Sequence, residues 1–285
     1  MKKVFSLMAA ISLPAMAGAE TVTVEGHDVY YEVHGEISAD QPPILLLHGG
    51  AMNITSTFAG MIPTLSEDRA VIGVEQQGHG HTPVHDGEFT LETMRTDTLA
   101  VLDELGVEQA HVIGFSMGGM LGLELAVNAP DRVASLTAIS ASQNGEGMLP
   151  DLVQMNRDPT HQPSPEVAAL MPSEAEFAQM AAQVAEMNPG GAEAFEQMMA
   201  KTSALIASDW GWTDEELAAI PLPVQILLGD NDFVTLDHAL HMKDTIPDAW
   251  LAVLPHTEHM NIMSRPELPI LLQRRIEAAE ESSDA

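Results

Sequence analysis

Apolar residues recur along this chain with two spacings. Mainly apolar runs at 43–48, 70–75, 111–115, 133–140, 223–229 and 249–254 have the length of strands, and the first two look like strands buried on both faces. Two shorter β-rich runs, 21–25 and 29–33, flank Gly26-His27-Asp28 and predict a hairpin. Between the strand runs the spacing becomes helical. Leu91, Met94, Thr98, Val101, Leu102 and Leu105 share one face, which predicts a helix over 90–105, and further helices are expected at 55–65, 120–127, 236–246 and 268–279. Strands alternating with helices of this length predict an α/β fold: a mostly parallel sheet with helices on both faces.

Over residues 144–214 the strand signal vanishes. Ala, Met, Glu and Gln dominate, and helical stretches at 174–187 and 192–206 stand out. The segment is short for a core of its own, so it reads as a helical insert in the α/β body. The expected division is 1–19 leader, 20–143 core, 144–214 helical cap, 215–285 core, with an acidic, frayed tail from residue 280. Seven methionines lie in the insert: Met148, Met155, Met171, Met180, Met187, Met198 and Met199. They serve either as core filler or as an adaptable apolar lid, joined in the second case by Met117, Met120, Met260, Trp210 and Trp212.

Composition narrows the setting. Met1-Lys2-Lys3, the apolar stretch 4–16 and Ala15-Met16-Ala17-Gly18-Ala19 form a secretory signal peptide, with cleavage after Ala17 or Ala19 fitting equally well. A periplasmic or secreted location follows, and no stretch is long and apolar enough for a membrane span. The chain has no cysteine, which excludes disulfides, thiolate metal sites and a cysteine nucleophile. Acidic residues outnumber basic ones 42 to 11, for a net charge of −31. Such a field repels nucleic acid and anionic membranes and favours solubility, leaving a small molecule as the expected partner.

The chemistry starts at Gly114-Phe115-Ser116-Met117-Gly118. A strand run ends there and a helical run follows at once, the pattern of a nucleophile elbow that holds Ser116 on a strained turn at a helix N-terminus. A serine hydroxyl needs a base, and the base needs a group to orient it. Two later strand ends offer both: Gly229-Asp230-Asn231-Asp232 and Pro255-His256-Thr257-Glu258-His259. All three lie at the sheet edge where ligands and catalytic groups gather. The residues alone leave Asp230 against Asp232, and His256 against His259, undecided.

These stretches, with Leu47-His48-Gly49-Gly50, Gly78-His79-Gly80 and Pro130-Asp131-Arg132-Val133, resemble an α/β-hydrolase-fold serine hydrolase of the esterase and lipase type. The resemblance implies an eight-stranded, mostly parallel sheet with a helical cap. It also implies Ser116 as nucleophile, Asp232 and His259 as its partners, and the Gly50 and Met117 N–H groups as oxyanion donors. The implied activity is hydrolysis of a small carboxylic ester, lactone or thioester without a cofactor. C–C hydrolases, peptidases and perhydrolases of this fold use the same triad, and a non-catalytic binding protein on the scaffold is the alternative of another class. The loop 78–86 carries His79, His81, His85 and Asp86, but their spacing matches no zinc pattern and the Gly-His-Gly turn belongs to the resemblance, so no metal is assigned. Glu75 and Gln77 stand where relatives often carry Asp and Arg, which changes how this loop is braced.

Overall fold

The computed structural model describes residues 18–158 and 160–283. The expected leader falls mostly on residues 1–17, outside the described residues; Gly18 and Ala19 already belong to the first strand. In chain order the elements are β1 (Gly18–Val24), β2 (His27–His34), β3 (Ile44–Leu47), α1 (Ile54–Phe58), α2 (Ile62–Leu65), β4 (Val71–Val74) and α3 (Leu91–Glu104). Then come β5 (Ala110–Phe115), α4 (Met117–Asn128), β6 (Val133–Ile139), α5 (Pro150–Arg157), α6 (Pro165–Ala168), α7 (Glu174–Met187), α8 (Ala192–Ala207) and α9 (Asp214–Ala218). The chain closes with β7 (Val224–Asn231), α10 (Leu236–Thr245), β8 (Ala249–Glu258) and α11 (Leu268–Ser283).

The eight strands form one sheet in the order β1-β2-β4-β3-β5-β6-β7-β8. The β1–β2 and β2–β4 pairs are antiparallel, and every later pair is parallel. Strand alternation splits the core in two. Leu45 and Leu47 of β3 face α3, α4 and α10, whereas Ile44 and Leu46 face α1, α2 and α11. Both faces are covered, which is why β3, β4 and β5 are apolar at nearly every position.

Several boundaries differ from expectation. The helix expected over 55–65 is two short ones, because Pro63 lacks an N–H and clashes with the preceding turn; it fits only in the first turn of a new helix. Strand β8 runs four residues beyond 254, and β7 runs to Asn231, through an irregularity between Gly229 and Asn231. Pro255 is tolerated there because β8 is an edge strand. Helix α11 continues to Ser283, through most of the tail expected to fray.

Helices α5 to α9 all lie between β6 and β7 in sequence. Their own apolar cluster is small, built on Val184, Ala194, Phe195 and Met198. They are held to the loop after β4 by polar ties. Buried Asn188 donates to Gly80 O and Thr82 O at 3.0 and 2.8 Å, and Lys201 Nζ donates to Gly87 O at 2.7 Å. Among the described residues no helix is long and apolar enough to cross a membrane.

Candidate active site

Ser116 sits between the end of β5 and the start of α4 with φ 53° and ψ −116°, a left-handed conformation that a serine rarely adopts. Two glycines make the turn possible. A Cβ on Gly114 would lie 2.1 Å from Gly118 O, and one on Gly118 would lie 2.0 Å from Leu47 O. Both contacts are with backbone, so neither could yield.

The structure brings Ser116 together with His259 and Asp232. His259 Nδ1 donates to Asp232 Oδ1 at 2.7 Å, which fixes the tautomer and leaves Nε2 to accept from Ser116 Oγ at 3.0 Å. The imidazole lies between two aromatic rings. Phe233 stacks on it at 4.2 Å and 17°, and Phe115 meets it at 5.1 Å and 38°. Burial pushes the Asp232 carboxyl up, but bonds from His259, Ser140 and Gly229 N–H, together with the His259 charge, outweigh it and hold the group below the usual carboxylate range.

The two near neighbours have other places. Asp230 accepts from Thr257 N–H at 3.0 Å and so braces the irregular β7–β8 pairing. His256 sits in the left-handed region at φ 51°, exposed on β8. The close approach that separates these roles is set by Gly229, where a Cβ would lie 2.0 Å from Thr257 O.

The expected oxyanion donors face the same space. Met117 is the first residue of α4, so its N–H has no acceptor within the helix. A Cβ on Gly50 would stand 4.0 Å from Met117 Cβ, and both residues line the cavity that Ser116 and His259 open into. Two buried histidines hold this corner. His79 Nδ1 donates to Gln77 O at 2.9 Å while Nε2 accepts from Ala51 N–H at 3.1 Å, pinning a residue with φ 57°. His48 Nδ1 donates to Gly49 O and Nε2 accepts from Gln76 N–H at 3.0 Å. Each ring therefore uses both nitrogens as a neutral imidazole. Burial, and for His48 the neighbouring His79, pushes the pKa values down to about 3 for His48 and about 4 for His79.

The cavity holds about 450 Å³. Nine methionines line it: Met52, Met117, Met120, Met148, Met155, Met171, Met180, Met199 and Met260. Among the described residues no Asp, Glu, Lys or Arg does so; the polar side chains are Ser116, Ser140, Ser142, Asn156, Thr202, Ser203 and His259. The lid reading of the insert methionines thus fits five of the seven. Met198 is buried in the small α7–α8 cluster, and Met187 Sδ lies against Asn53 Nδ2. Trp210 and Trp212 are corrected. They line a separate cleft on the opposite face of α5, and Trp212 Nε1 donates to Glu124 Oε2 at 3.1 Å.

Sequence reasoning missed Ser140, whose hydroxyl donates to Asp232 Oδ2 at 2.5 Å. A polar residue closing an apolar strand at the ligand-bearing sheet edge was the available signal. The loop 78–86 does not gather its histidines around one point. His79 faces Ala51, His81 binds the buried Glu75 carboxylate, and His85 turns to β2. Glu75 also accepts from His81 N–H and Ile54 N–H, so it is a buried strand-end carboxylate whose hydrogen bonds tie this loop to the start of α1.

Comparison with known proteins identifies the family and agrees with the fold. The chain belongs to the alpha/beta hydrolase fold family, which matches residues 42–266. It is 26% identical over 251 residues to a protein named "Putative carbamate hydrolase RutD" from Stutzerimonas stutzeri, covering 84% of this chain and 92% of the relative. Among solved structures it resembles a meta-cleavage product hydrolase from Pseudomonas fluorescens IP01, with TM-score 0.71, 21% identity and coverage of 91% and 98%. It also resembles an enol-lactonase from Burkholderia xenovorans LB400, with TM-score 0.69, 21% identity and coverage of 90% and 100%. At these identities the structural likeness establishes the fold.

Proposed function

We propose that this alpha/beta hydrolase is a serine hydrolase that cleaves a small, uncharged carboxylic ester, open-chain or lactone, through an acyl-enzyme. The observation that carries the reading is the unbroken chain from Ser116 Oγ through His259 to Asp232, opening into an apolar cavity. As Ser116 Oγ attacks the carbonyl, His259 Nε2 takes its proton. The carbonyl oxygen becomes an oxyanion, bound by the Gly50 and Met117 N–H groups; losing one such donor typically costs about 3–4 kcal/mol of barrier. Collapse breaks the ester C–O bond, and His259 returns the proton to the leaving alkoxide. Water, deprotonated by the same nitrogen, then attacks the acyl-enzyme; collapse breaks the bond from the acyl carbon to Ser116 Oγ, His259 returns the proton to Ser116 Oγ, and the acid leaves. Asp232 stays ionised and stabilises the imidazolium throughout, with the Phe233 face beside it. The chemistry draws on this chain's own groups at every step.

A carboxylate-bearing substrate would meet no Lys or Arg among the described residues lining this cavity, which favours neutral acyl and alcohol portions. The leader-like N-terminal sequence supports a periplasmic or secreted setting for the reaction. The test is a panel of p-nitrophenyl esters and lactones with labelling by a fluorophosphonate probe. Ser116→Ala is expected to abolish turnover and labelling with an unchanged melting curve. Labelling that survives this substitution overturns the assignment, and absence of turnover by the native protein across the panel favours a binding protein on the same scaffold.

A further inference from the structure

Most of the polar side chains lining the catalytic cavity are already engaged. Ser116 and His259 belong to the triad, Ser140 is spent on Asp232, and Thr202 Oγ1 lies 3.8 Å from Met198 Sδ. Three groups are left over. Ser142 is 1% exposed, and its Oγ has no hydrogen-bond partner among the described residues. Ser203 Oγ, half-buried on α8, has none either. Asn156, on α5, gives Nδ2 to Leu152 O at 2.8 Å and leaves Oδ1 unused.

Ser142 is held firmly in this unpaired state. On one side Ser140 N–H donates to Leu227 O at 2.7 Å. On the other, Gln143 N–H donates to His238 Nε2 at 3.0 Å, and Gln143 O accepts from Trp212 N–H at 3.2 Å. A buried hydroxyl fixed on a cavity wall without a protein partner carries a desolvation cost that an occupant of the cavity can offset.

The placement of these groups says which part of a substrate would meet them. An outer hollow of about 380 Å³ adjoins the cavity, and Met52, Met180 and Met260 border both. Met260 follows His259, so a leaving group protonated by His259 has its exit on this side. Ser142, Asn156 and Ser203 line the cavity but not the hollow. The acyl portion, across the ester carbonyl from the leaving group, is the part directed toward them.

We propose that Ser142, with Ser203 and Asn156, forms a hydrogen-bonding subsite for the acyl portion of the substrate. That portion carries an uncharged group able both to donate and to accept, a hydroxyl or an amide. The inference rests on the serine-hydrolase reading and narrows its substrate class. Each serine hydroxyl can donate or accept, and Asn156 Oδ1 accepts, so the set matches a neutral donor–acceptor group. It offers no ionised side chain to balance a charge. The methionines around it suit the aliphatic chain that leads there.

The test is acid release from ethyl esters of straight-chain acids over a range of chain lengths, each ending in a methyl, a hydroxyl or a primary carboxamide. At one chain length the native protein should favour a hydroxyl or carboxamide ester over its methyl-terminated counterpart about tenfold or more in kcat/KM. Which of the two it favours identifies the group. A purely apolar wall would reverse the order, because the polar terminus would lose its water without compensation. Ser142→Ala should bring the ratio of polar to methyl-terminated kcat/KM down about tenfold. Ser203→Ala, on a half-buried helix face, should lower the same ratio and keeps the outcome readable if Ser142→Ala folds poorly. Turnover that is best with the methyl-terminated ester at every chain length, or a ratio that both substitutions leave intact, overturns the subsite and leaves the hydrolase reading standing. Absence of turnover with every ester overturns both.

Discussion

Ser140 Oγ donates to Asp232 Oδ2 at 2.5 Å, on the oxygen opposite the one that holds His259. The two residues sit on neighbouring strand ends, Ser140 in the left-handed region at φ 53° and pinned by its N–H to Leu227 O at 2.7 Å. Ser140 therefore positions the carboxylate instead of touching substrate chemistry. Ser140→Ala should lower kcat about tenfold, the equivalent of a hydrogen bond to a charged group of roughly 1.5 kcal/mol. It should also shift the acidic limb of kcat/KM to higher pH. The sign follows because the carboxyl is held below its ordinary value partly by this donor, and losing it lets the pKa rise. An unshifted pH profile in Ser140→Ala would count against the role.

The buried pair behind the oxyanion corner predicts acid sensitivity. His79 titrates at about 4 when folded, against 6.5 when unperturbed. Between those values the unfolded chain takes up a proton that the folded chain refuses, so stability falls as pH drops through this window. His79 alone accounts for roughly 3 kcal/mol of that loss at pH 4. His79→Gln, measured by urea unfolding at pH 7 and pH 4.5, should flatten the decline. An identical decline in the variant would show that other groups govern it.

The absence of Asp, Glu, Lys and Arg among the described residues lining the cavity predicts discrimination by charge. For p-nitrophenyl esters of matched chain length, an ω-carboxylate should lower kcat/KM about 100-fold or more relative to the methyl-terminated ester. Stranding a charge among methionines costs several kcal/mol with no partner to offset it. Equal rates would mean that the acyl chain leaves the cavity for water.

Forty-two acidic side chains against 11 basic ones leave the folded surface self-repelling at low salt. Raising sodium chloride from about 0.05 M to about 1 M shortens the screening length to about 3 Å and should raise Tm by several degrees. A flat Tm across that range would argue that the surface charges are already well separated.

Local pattern carried much of the architecture. Strand and helix order, the elbow at Ser116 and the insert between β6 and β7 were legible because each rests on spacing within a dozen residues or on a glycine that a tight turn requires. What the pattern could not separate were neighbours of the same chemical type. Asp230 differs from Asp232, and His256 from His259, only through the irregular β7–β8 pairing, which depends on the approach of Gly229 to Thr257 across the sheet. The partners that matter most are remote: His259 lies 143 positions from Ser116, Ser140 lies 92 from Asp232, and Asp97 lies 70 from His27. No periodicity encodes such pairs, because they form only when packing of both sheet faces fixes where the strand ends and loops finish. The sequence by itself determined which chemistry this protein could carry. Only the tertiary structure decided which copies of each residue carry it, and stacked His85 on His27 across the fold.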